Sequence, residues 1–135
     1  MFPLAKVMTL SMLSRRERHF VESGQPGQCP GVAAVDFFGD GHTDYALVLA
    51  HGTTSRMAIL VLARPDVTGR WSFQLIAEAD QGTAIVFRVP PGDVEGAEGD
   101  VLHAQHDAIG FSGLEAWTMV FAWTGSSIET IWTQE

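Results

Sequence analysis

Lysine, cysteine and tyrosine each occur once in this 135-residue chain. The lone cysteine, Cys29, excludes an internal disulfide. Basic residues are few: eight Lys and Arg face sixteen Asp and Glu, for a net charge of −8. The imbalance is uneven. Residues 1–20 carry four basic residues against one acid, and residues 21–135 carry four against fifteen. An acidic body argues against a phosphate backbone as partner, which needs clustered Lys and Arg. It suits a basic protein or a cation. No apolar run reaches the ~20 residues a bilayer-spanning helix needs. Met1–Leu13 is apolar, but Arg15, Arg16 and Arg18 follow that stretch rather than precede it, and no small-x-small cleavage site is present. The segment does not read as an intact signal peptide.

What the chain does have is apolar content. Hydrophobic residues make up 46% and charged residues 18%, enough for one folded domain with a core. Residues 1–24 read as an N-terminal helix with its end. Pro3 suits a first turn, Leu4, Val7, Met8 and Met12 fall at helical spacing, and Gly24 is placed to cap. The apolar stripe of this helix, with its basic end, suits docking on a second copy as a homodimer. From residue 29 to 135 the signals are those of a single antiparallel β domain. Short strand patterns recur every 10–12 residues with turn residues between them, predicting a mainly β fold of about seven to nine strands. Met57–Ala63 is near-continuously apolar and predicted central. Trp71, Phe73 and Leu75 alternate with polar residues, which predicts one buried face. Asp93–Asp100 is Gly-rich and acidic and reads as an exposed loop.

The densest motif is Asp36-Phe37-Phe38-Gly39-Asp40-Gly41-His42-Thr43-Asp44-Tyr45-Ala46. Aspartates stand at positions 1, 5 and 9, with glycine at position 6. Such spacing curls a chain around a hard cation, or makes a self-hydrogen-bonded turn between strands. The stretch resembles the Asp-rich calcium loop of FG-GAP and VCBS repeats. The wider chain, from about residue 29, is similar to small bacterial proteins that carry one such loop, a Cys-Pro-Gly before the first strand and a Pro-Pro-Gly break. The resemblance implies an isolated FG-GAP or propeller-type unit, export or a periplasmic location, and a calcium ion held by Asp36, Asp40, Asp44 and the backbone carbonyl of His42. The chain departs from the repeat at position 3, where Phe38 stands in place of an oxygen ligand. Hydrogen bonds from turn N–H groups to the aspartates are the alternative to an ion.

Other constellations carry less. His103 and His106 are three apart, so on a strand they face opposite sides. Ser112 lies in Gly-Phe-Ser-Gly, which is not the nucleophile elbow of hydrolases, and Glu115 with Asp107 is one of many carboxylate pairs. The four tryptophans belong mainly to a core, and any exposed one would mark a binding hot spot. Between residues 91 and 115 the chain has six acids and no Lys or Arg. Asp93, Glu95, Glu98, Asp100 and Asp107 are therefore candidate contacts for a basic partner protein. The expected function is a non-enzymatic protein-binding module, of inhibitor or immunity type, acting through these acidic loops and needing no cofactor. The alternatives are a calcium-stabilised envelope or surface domain and a small hydrolase.

Overall fold

The computed structural model describes residues 6–7, 31–51, 57–79, 84–113 and 117–134. Among them are eleven strands and no helix: β1 (Lys6–Val7), β2 (Val32–Val35), β3 (Asp44–His51), β4 (Met57–Pro65), β5 (Trp71–Ala79), β6 (Ile85–Val89), β7 (Gly92–Glu95), β8 (Val101–Ala104), β9 (Ala108–Ser112), β10 (Thr118–Trp123) and β11 (Ile128–Gln134). No described helix is long and apolar enough to cross a membrane. All pairings are antiparallel.

The strands form three layers. In the first sheet β3 lies between β4 and an edge shared end to end by β2 and β1, and β5 flanks β4. The second sheet runs β11-β10-β9-β6, and β7 with β8 makes a separate two-stranded ribbon. The larger core lies between the sheets. Val35, Phe37, Val48, Leu60 and Leu62 of the first meet Ile85, Ile109, Phe111 and Phe121 of the second. A smaller core, Leu102, Ala104, Ala108, Val120, Ala122 and Ile131, seats the ribbon against the second sheet. Alternation along β10 serves both: Val120 and Ala122 join the smaller core and Phe121 the larger. Gly110 of β9 lies under the Phe87 ring, where an added Cβ would collide with it.

Three expectations need revision. Lys6 and Val7, inside the stretch read as helix, form β1 instead. Beyond β2 the edge of β3 has open backbone groups at Leu49 and Ala50, and pairing with them satisfies both strands. The rest of residues 1–24, and with it a dimer built through that helix, lies outside the described residues. The acidic stretch after Gly92 is not all loop, because Gly92–Glu95 pairs with Val101–Ala104 around a turn closed by Gly96 N–H to the Asp100 carbonyl at 2.7 Å. That strand and β1 take the count above nine. Third, Trp71, Phe73 and Leu75 are about half exposed. β5 is the outer strand of its sheet, and period-2 apolarity cannot tell a core face from an outer face.

Candidate functional site

The Asp-rich loop connects β2 to β3. Gly39 (φ 70°) and Gly41 (φ 80°) take the left-handed conformation that curls it. Gly39 also packs against the His106 ring, so a side chain there is barred by contact as well as by backbone angle. The Asp36 carboxylate accepts the N–H groups of Asp40 and Gly41, both at 3.1 Å, and Asp40 accepts that of His42 at 3.0 Å. These are turn-closing bonds of the Asx type. From β4, the Arg64 guanidinium contacts the Asp40 carboxylate, comes within 3.4 Å of Asp44 and lies 4.7 Å over the Phe38 ring. A protein cation thus sits between two of the aspartates.

Asp44 is the unusual member. Its side chain is fully buried, and neither carboxylate oxygen has a hydrogen-bond partner. Burial, and then the negative charge of Asp36, push its pKa above the ordinary value. His42 and the Phe37 N–H pull more weakly the other way, the latter without hydrogen-bond geometry. An ion fits this loop only in part. Asp44 offers oxygens that accept no hydrogen bond, but one faces Arg64, those of Asp36 hold backbone N–H groups and Phe38 offers none. Among the described residues no three His, Cys, Asp or Glu side chains converge on one metal position. Backbone carbonyls and water would have to complete any coordination shell.

The acidic residues separate into two groups. Asp93, Glu95, Glu98 and Asp100 are exposed on the ribbon and its turn, with Asp93 paired to His103 at 2.6 Å. Asp107 is instead a structural tie. It accepts the Asp36 N–H at 2.9 Å and pairs with Arg88 Nε at 2.9 Å, linking the Asp-rich loop to β6. Burial works against its ionisation, but Arg88 and the Asp36 N–H win and hold its pKa below the ordinary value. His103 and His106 do different things, one pairing with Asp93 and the other covering Gly39. Ser112 is buried, its hydroxyl bonded to the Trp117 carbonyl at 3.1 Å and to Thr118 Oγ1 at 3.0 Å. Glu115 lies outside the described residues.

A further surface lies on the outer face of the first sheet. By register, Ala34, Tyr45, Ala63 and Phe73 form one row across β2, β3, β4 and β5, and Val32, Leu47, Val61 and Leu75 form the next. Pro65 and Trp71 close the end. Ala63 is small between two aromatic neighbours, which leaves a groove of about 470 Å³ lined by Val32, Tyr45, Leu47, Ala63, Trp71 and Phe73. The Trp71 ring leans on Tyr45, with centroids 5.8 Å apart. Trp71 is 49% exposed, Phe73 50% and Leu75 48%. Trp117 and Trp123 pack against the larger core, whereas Trp132, which leans on Trp117 at 6.3 Å, is itself 44% exposed. No family model, no curated protein and no solved structure matches the chain.

Proposed function

We propose that this protein is a non-catalytic protein-binding module whose contact surface is the outer face of the first sheet. The observation that carries the reading is the contiguous apolar patch of Trp71, Phe73, Tyr45 and Leu47 around an open groove. Half-exposed aromatics clustered around a concave site are the usual anchors of an interface. The four exposed acids of the ribbon lie on the layer at the other side of the second sheet, so they form a separate surface. The test is retention of a native partner by the tagged protein, compared with Phe73→Asp and with a Glu95→Lys/Glu98→Lys double variant. A stoichiometric partner lost only with Phe73→Asp supports the reading. A partner lost only with the double variant moves the contact to the acidic ribbon, the inhibitor-type arrangement facing a basic protein. No partner in any native fraction sinks both.

A second reading rests on Asp44. A buried carboxylate beside Asp36, whose oxygens accept no hydrogen bond and have only the Arg64 guanidinium 3.4 Å away, favours a calcium ion in the loop with Arg64 displaced outward. Asp36, Asp40, Asp44 and the His42 carbonyl would hold it. In that case calcium raises the melting temperature, and Asp44→Asn abolishes the rise. No shift up to millimolar calcium ends this reading.

A further inference from the structure

The outer edge of β5 has no partner among the described residues. Nine residues long, it holds no Lys and no Pro, and its one charge, Glu78, lies near its end. Natural edge strands are normally guarded against pairing by just such residues, or by a bulge. Here a bulge is present, but late. Leu60 pairs with Ala77 and Val61 with Leu75, so Ile76 is the extra residue. At the other end the hairpin turn closes with Asp66 N–H donating to the Arg70 carbonyl at 2.7 Å. The regular edge open to a partner is therefore Trp71–Leu75.

The direction of the backbone groups follows from that closing bond. Arg70 points its carbonyl at β4, so by antiparallel alternation Ser72 and Gln74 bond to β4. Trp71, Phe73 and Leu75 then direct their N–H and C=O groups at the open edge. The midpoint of the stretch is Phe73. We propose that a second copy of this chain pairs here, β5 against β5, about a two-fold axis through Phe73. In this register Phe73 faces Phe73 of the other copy and Trp71 faces Leu75, all on the outer face. Ser72 faces Gln74 on the inner face. Every outward backbone group of the three apolar residues finds a partner. A shift by one residue sets outward groups against inward ones. A shift by two sets Trp71 against Ala77, beyond the bulge, or in the other direction Leu75 against Gly69, inside the hairpin turn. The pairing rests on the open edge and not on the groove, but Trp71 and Phe73 also line the groove, so a second copy and a groove-bound partner compete for these two side chains.

Area sets the strength. Half-exposed side chains of this size offer roughly 100 Å² each, so the six of two copies offer roughly 600 Å², and the strand backbones bring the total toward about 1,000 Å². That is the lower end of specific interfaces, and the dimer is a dissociable one.

Sedimentation of the full chain across a concentration series reads the association. A monomer–dimer equilibrium is expected, weakened at least tenfold by Phe73→Lys and unchanged by Val67→Lys at the fully exposed hairpin tip. Cysteine pairing reads the register. In a Cys29→Ser background, Phe73→Cys places two Cα atoms about 5.5 Å apart, within disulfide reach. Leu75→Cys alone places them too far apart, and pairs only with Trp71→Cys on the other copy. A monomer at all concentrations overturns the proposal, as does a dimer indifferent to Phe73→Lys. Cross-linking by Leu75→Cys or a Val67→Cys control as fast as by Phe73→Cys overturns the register.

Discussion

Asp44 and Asp107 pull stability in opposite directions as pH changes. The pKa of Asp44 is raised on folding, so its ionised form costs stability at neutral pH. Stability rises as pH falls through that raised value, and the gain is complete near the ordinary carboxylate pKa of about 3.9. The pKa of Asp107 is lowered, so its contribution is present above about 3.9 and is lost as pH falls through the depressed value. Denaturant unfolding followed against pH should show both limbs. Asp44→Asn is expected to flatten the rise on mild acidification, and Asp107→Asn the fall below it. At neutral pH Asp107→Asn should destabilise measurably, because the Asp36 N–H and the Arg88 guanidinium both lose a charged acceptor. Glycines behave similarly. Gly39→Ala and Gly110→Ala each force a contact, with His106 and Phe87 respectively, and are expected to cost about 1–3 kcal/mol by the same measurement. The residue chemistry of the loop was partly legible in the sequence, since Asp36 and Asp40 do close a turn. The roles of Arg64 and Asp107 were not, because each comes from a distant strand or turn and no local pattern announces a long-range ion pair.

Among elements, the strand periodicities located most of the sheet. Met57–Ala63 read as central, and from Ala58 to Ala63 every residue is buried. Trp71–Ala79 read as a strand with Trp71, Phe73 and Leu75 on its buried side; the strand is there, but those three are half exposed and it is Ile76, Ala77 and Ala79 that pack against the larger core. Amphipathic alternation fixes which residues share a face. It does not fix what lies opposite, and only the position of β5 at the sheet edge decides that. The ribbon strand Gly92–Glu95 was missed because its composition is that of a solvated turn, and its pairing is imposed by the hairpin with Val101–Ala104. The outer face gives two predictions. Trp71→Ala and Phe73→Ala should each change unfolding free energy by less than the roughly 3–5 kcal/mol seen for buried aromatics, since half of each side chain is already wet. Ala63→Leu should fill the groove between Tyr45 and Phe73 and abolish partner retention, with secondary structure by circular dichroism unchanged.

At the scale of the whole molecule, the second sheet is enclosed on one face by the first sheet and on the other by the ribbon. The ribbon is an excursion from that sheet. Chain leaves it after Val89 and re-enters at Ala108, and these two residues are themselves paired. The ribbon can therefore lift away without breaking any strand pairing of the sheet, losing the smaller core and the Ala97 N–H bond to the Trp132 carbonyl at 2.8 Å but keeping the larger core. Cooperativity then has an internal seam. Amide hydrogen exchange under native conditions should find the ribbon protons leaving through a sub-global opening, well before those of β9 and β10, which must wait for global unfolding. During such openings Ala108, Val120, Ala122 and Ile131 face water together. The excursion that bears the exposed acids is thus also the part that first exposes an aggregation-prone strand face when the fold is stressed.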